Sequence, residues 1–164
     1  RGGHAQEARS ALGPLIKKNP DRIEYLIADA QIKLLENRPK QAAEKLRKRL
    51  SISPRNHPLT IAYASVLVQN DQAYIAEEIL VKQSEIKPND PGLWYLLAEI
   101  QGLAGNIIGL HESRAEFFIL NGNLDQAEKQ INYALELSKN NYQKSEILYQ
   151  RLKDIKDIRE RLNY

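Results

Sequence analysis

The sequence predicts an all-α protein: about nine helices stacked as hairpins into an α-α superhelix, with an irregular C-terminal half and a capping helix at the end. Three observations predict it. Prolines, alanines and turn-forming residues recur at one interval. The stretches between them space apolar residues three and four apart, which is the period of a helix. No stretch reads as a strand.

The interval is 34 residues: it separates Pro20, Pro54 and Pro88, then Ala8, Ala42 and Ala76, then Ala30, Ala64 and Ala98. A fixed period of this size marks an array of supersecondary units. Gly3, Asn37 and Asp71 each precede an alanine of the first trio by five residues, and Gly105 and Gly122 belong to the same class. Gly, Asn and Asp best tolerate the left-handed backbone that closes a helix.

The elements follow in order. Helix 4–18 leaves the turn at Gly3 and carries Ala8. Helix 21–36 opens at Asn19-Pro20, read as an N-cap followed by proline in the first turn, and closes at Asn37. Helix 39–52 sets Ala42, Ala43, Leu46 and Leu50 against Glu44, Lys45, Arg47 and Lys48. Helix 57–70 carries Ala64 and closes at Asp71. Helix 73–87 sets Ala76, Ile79 and Leu80 against Glu77, Glu78 and Lys82. Helix 91–104 opens at Asp90-Pro91 and closes at Gly105. Helix 107–121 carries Ala115 and closes at Gly122. Helix 124–139 opens at Asn123, which with Gln126 resembles a capping box. Helix 142–162 offers Ile147, Leu148, Leu152, Ile155 and Ile158 as one stripe, fit to cap the array.

These elements group as one domain over 1–164. It comprises a half repeat at 1–20, repeats at 21–54, 55–88, 89–121 and 111–141, and a terminal helix at 142–164. The overlap reflects a slip of register after Ala98, which makes helix 107–121 serve two pairs. The first helix is expected to lack its partner, and the chain, without an initiator methionine, reads as a piece of a longer protein.

Composition narrows the function classes. Charged residues make 27% of the chain and hydrophobic ones 42%, which excludes wholesale disorder. A net charge of +3 is too mild to predict nucleic acid as a partner. There is no cysteine, hence no disulfide or thiolate metal site. No run approaches the roughly 18 apolar residues of a transmembrane segment.

A 34-residue period with alanine at the eighth and twentieth positions and proline at the thirty-second resembles the tetratricopeptide repeat (TPR). Trp94, Leu97 and Ala98 match that family's fourth, seventh and eighth positions, whereas Leu26 and Thr60 replace the large aromatic in the two earlier repeats. The runs LLAEIQGLAGN (Leu96 to Asn106) and RAEFFILNGNLDQAEKQI (Arg114 to Ile131), with the terminal RLKDIKDIRERLNY, look like the tail of a periplasmic M48-type zinc metallopeptidase of Gram-negative bacteria. This resemblance implies a non-catalytic, protein-binding C-terminal TPR region. It implies zinc in a peptidase domain upstream, with no cofactor in the chain itself. Its implied location is the periplasm. Its implied partners are outer-membrane assembly machinery, substrate proteins and its own protease domain. The rival is a generic TPR scaffold or adaptor unconnected to a protease.

The residues themselves offer little for chemistry. His4, His57 and His111 fall in different units, and Ala115 stands where the pair His111-Glu112 would need a second zinc ligand. No glycine elbow surrounds a serine. The basic run Lys45, Arg47, Lys48 and Arg49 is either the solvated face of its helix or a landing site for an acidic partner. The remaining candidate is a groove. The template's inward positions give Ile27, Gln31 and Leu34, then Ile61, Ser65 and Val68, then Tyr95 and Glu99. That largely apolar channel suits a helix or an extended segment, unless some of these residues are core. Gln31, Ser65 and Glu99 stand where a carboxylate clamp wants asparagine, so no clamp is expected.

Overall fold

A computed structural model of the chain describes residues 2–162. Among these residues there are nine helices and no strand: α1 (Gly2–Lys18), α2 (Ile23–Leu35), α3 (Pro39–Ile52), α4 (His57–Gln69), α5 (Ala73–Ile86), α6 (Pro91–Ala104), α7 (Ile107–Leu120), α8 (Leu124–Leu137) and α9 (Tyr142–Leu162). The expected helices are all present. Residues 1, 163 and 164 of the expected domain lie outside the described residues.

Two kinds of turn generate the period. Asn37 (φ 59°), Asp71 (φ 57°), Gly105 (φ 82°) and Gly122 (φ 74°) all adopt the left-handed conformation. Each is followed by an N–H that reaches back to close the helix: Arg38 to the Lys33 carbonyl at 2.8 Å, and Gln72 to Leu67, Asn106 to Gln101 and Asn123 to Phe118 at 2.9 Å. The prolines build the other turn. Backbone bonds from Arg22 to Asn19, Asn56 to Ser53 and Asp90 to Lys87 close three β-turns, with Pro20, Pro54 and Pro88 at the second position, where a fixed φ is favourable.

Asn56 and Asp90 then cap α4 and α6 through their side chains. At the corresponding position α2 has Arg22, which makes no side-chain cap. Two expectations fail here. Asn19-Pro20 does not start α2; it occupies the β-turn, and the helix begins three residues after Pro20. Gly3 closes no turn, because α1 runs from Gly2 through it. At Asn123 only half of the capping box forms. Its side chain accepts from the Gln126 N–H at 3.3 Å, while its own N–H is already bound to Phe118.

The chain divides inside α5 into two compact units, one ending at Gln83 and the other beginning at Ser84. In the first unit α1 packs on α2, α2 on α3 and α3 on α4, and α2 also reaches α4. Its core gathers Ala30, Ala42, Ala43, Leu46, Leu59 and Val66. Ala42, Leu46, Ala64, Ala76 and Leu80 are fully enclosed, and small side chains at the periodic positions 42, 64 and 76 let helices approach closely, whereas Ala8 is only half-buried.

In the second unit α7 packs on both α6 and α8, and α9 packs on α8. The core is built from Ala115, Leu124, Ala127, Ile131, Ala134, Leu148 and Ile155, with Leu152 and Ile158 packed against it. Ile147, expected in that stripe, stays 56% exposed. It borders an open space beside Ile131 and Leu148 and is not enclosed in the core.

Candidate protein-binding cleft

In the first unit α2 and α4 lie against one another, and the i, i+4, i+7 rows of both helices leave a cleft of about 520 Å³. Ile27, Gln31 and Leu34 line it from α2, Ile61 and Ser65 from α4, and Ala30 and Val66 are buried beneath. His57 and Gln69 stand along the same wall of α4. The Ser65 hydroxyl donates back to the Ile61 carbonyl at 3.0 Å, and the Gln83 amide nitrogen lies 2.9 Å from His57 Nδ1.

Five of the predicted groove residues therefore share one surface. Val68 is half-buried and is not part of the lining. Tyr95 and Glu99 belong to α6 of the second unit, where both are exposed and pair with each other. That hydrogen bond from the Tyr95 hydroxyl to Glu99 pushes the tyrosine pKa up, and the Tyr95 ring lies 5.6 Å from Phe117.

Within the basic run Lys45 and Arg49 are half-buried, whereas Arg47 and Lys48 are exposed. Lys45 Nζ reaches Asp29 Oδ2 at 2.6 Å, and Arg49 binds the Asp21 side chain and carbonyl at 3.2 Å each. Lys48 pairs with Glu44 one turn away at 3.0 Å. Much of the run is thus occupied within the protein.

Asp29 is the group that sequence reasoning missed. It occupies the repeat position where the later repeat has Leu97, and it is 3% exposed. Lys33 binds it at 2.7 Å, Lys45 at 2.6 Å, and Arg9 of α1 stands 3.6 Å away. One carboxylate thereby ties α1, α2 and α3. Burial alone would raise its pKa, but hydrogen bonds from Lys33 and Lys45 and the charges of both outweigh that and hold it below the usual carboxylate range. Beside it Arg9 makes a two-pronged bond to Glu36, at 2.6 and 2.8 Å.

Two further surfaces were not predicted. Ala8, Leu12 and Leu15 of α1 with Ile32 and Leu35 of α2 border an apolar groove of about 410 Å³. In the second unit Glu112 and Glu116 of α7, Ile131 of α8, and Ile147, Leu148 and Arg151 of α9 line a space of about 340 Å³. Lys144 binds Glu112 at 2.7 Å and Arg151 binds both oxygens of Glu116, so charged pairs link α9 to α7 beside this space.

Among the described residues no three His, Asp or Glu side chains converge as metal ligands. His111 is bonded to Gln130 at 2.8 Å and His4 is exposed. No described helix is long and apolar enough to cross a membrane.

A family model described as tetratricopeptide repeat matches residues 33–100. This is a TPR fold. Over 121 residues, or 74% of its length, the chain is 31% identical to the beta-barrel assembly-enhancing proteases of Yersinia pestis and Escherichia coli K12. It spans only 25% of the length of those relatives. Among solved structures, MamA from residue 41 onward of Desulfovibrio magneticus RS-1 superposes with a TM-score of 0.61 at 16% identity, covering 96% of this chain and 88% of that one. A thermophilic TPR protein of Thermus thermophilus gives 0.55 at 18% identity, covering 93% and 91%. At such identities the likeness concerns the fold alone. TPR folds bind proteins and are non-catalytic.

Proposed function

We propose that this chain is the protein-interaction region of a larger periplasmic zinc metalloprotease that serves outer-membrane protein assembly and quality control. The observation that carries the reading is the identity to the beta-barrel assembly-enhancing proteases, which extends over 74% of the chain. The chemistry would reside in a peptidase portion beyond these residues, where zinc would be held. The TPR helices would bring that portion to assembly machinery or to substrate proteins, and would also face the protease domain itself. The α2–α4 cleft is the surface best formed for a partner, being concave, largely apolar and already shaped.

Affinity capture tests the proposal. Full-length parent protein should retain outer-membrane assembly components, and a version lacking the segment 1–164 should lose them. Equal capture by the two would remove the proposal. Capture of cytoplasmic partners instead would favour a general adaptor.

A further inference from the structure

We infer that the outer face of α3 docks on an anionic membrane surface, held by phosphate-bearing headgroups. This contact is separate from the protein-binding reading above and does not rest on it.

The distribution of charge is the first observation. Residues 1–83, the first unit, carry 14 Lys and Arg against 9 Asp and Glu, whereas residues 84–164 carry 10 against 12. The whole positive excess of the chain therefore sits on one unit. It is concentrated further: seven Lys and Arg stand between positions 38 and 55, with Glu44 the one acid among them. Nearby carboxylates do not balance these cations. Asp29 is shared by Lys33, Lys45 and Arg9, and Glu36 by Arg9 and Arg38. Lys40, Arg47 and Arg55 are exposed and make no ion pair among the described residues.

The second observation is how α3 presents them. Ala42, Ala43 and Leu46 bury its inner face, where it packs on α2 and α4. Lys40, Glu44, Arg47 and Lys48 recur at spacings of three and four as one exposed stripe, and Ile52 continues it at 72% exposure. A cationic stripe ending in a bare aliphatic side chain matches the boundary of a bilayer. Headgroups there meet the cations, and the edge of the acyl region receives the isoleucine. A peptide partner is held by a shaped groove, and α3 borders none of the clefts described above. Nucleic acid would call for aromatic rings to stack on its bases, and α3 carries none.

Flotation of the 164-residue chain with lipid vesicles tests this. The chain should float with vesicles of phosphatidylcholine containing about one third phosphatidylglycerol, and not with phosphatidylcholine alone. Salt at about 0.5 M should release it. Lys40→Gln and Arg47→Gln should each weaken binding about fivefold with the unfolding temperature unchanged, and Ile52→Ser should weaken it less. Lys153→Gln, at an exposed position of α9, should leave binding as it is, which separates the α3 stripe from net charge. No flotation, equal flotation with neutral vesicles, or equal losses in Lys153→Gln and Arg47→Gln overturns the inference. Tighter binding of a polyglutamate peptide than of anionic vesicles does so as well. Capture of protein partners by the parent does not depend on the stripe, so either proposal can fail alone.

Discussion

In the first unit, charged side chains from three helices are gathered onto one buried carboxylate, Asp29, and the cleft lining is free of charge. In the second unit the charges are strung along the last helix instead. Lys144, Arg151 and Arg159 of α9 reach Glu112, Glu116, Asp125 and Glu128 on α7 and α8, and the space bordered by Glu112, Glu116 and Arg151 carries both signs. The same helical repeat therefore yields two surfaces of different chemistry. What differs is whether ion pairs lie beneath a surface or along its edge. A carboxylate inside the unit organises three helices from within, and pairs at the surface add less because water and salt screen them.

Substitutions sharpen the contrast. The largest effect is expected where α9 depends on apolar burial. Leu148→Ala should cost about 3 kcal/mol, because Leu148 is 1% exposed in the core that α9 shares with α8. Urea denaturation reads it, and a loss below about 1 kcal/mol would mean the surface pairs, not the core, hold α9.

Asp29→Asn comes next, at about 2 kcal/mol near neutral pH. That is below the range for wholly buried pairs, since Lys45 and Arg9 keep contact with water. The pH dependence has a definite sign. The folded pKa of Asp29 is depressed, so its contribution is complete above the unfolded value of about 3.9 and is lost as pH falls through the folded one. The gap between the two proteins should therefore be full at neutral pH and close in acid. A gap that widened below that range would contradict the arrangement.

The smallest effect tests the α6–α7 contact of the second unit. A Cβ added at Gly109 would meet Gln101 Nε2 at 2.6 Å and Asn106 Nδ2 at 2.5 Å. Gln101 is buried and accepts from the Ser113 hydroxyl at 2.6 Å, and Asn106 caps α7 through the Gly109 N–H, so neither can yield freely. Gly109→Ala should cost about 1 to 2 kcal/mol. Gly102→Ala should cost less, because it meets only the flexible end of Leu110 at 2.9 Å. Equal unfolding midpoints for the two variants would count against this packing.

The helices were legible because their stops are local. Asn37, Asp71, Gly105 and Gly122 each need a backbone conformation that few residues tolerate, so their identity announces the turn. Gly3 misled because glycine permits a turn without requiring one, and Asn19-Pro20 because proline suits a β-turn as well as a first helical turn. The cleft was partly legible. Ile27, Gln31, Leu34, Ile61 and Ser65 fall on one face by spacing alone, whereas the absence of Val68 from the lining depends on packing. Asp29 and the Arg151–Glu116 pair were invisible, since a bond between helices brings together side chains that no short-range pattern links. Asp29 carried one signal: an acid at a repeat position that elsewhere holds Leu97.

The neighbour-to-neighbour packing of the helices also bears on how the protein acquires its shape. α1 finds α2, α2 finds α3, α6 finds α7 and α7 finds α8 across only a few intervening residues. Little chain entropy is lost in bringing each pair together, and topologies of this kind fold rapidly. An emerging polypeptide can thus complete its early hairpins while later ones are still being delivered, which limits how long sticky helix faces stand bare.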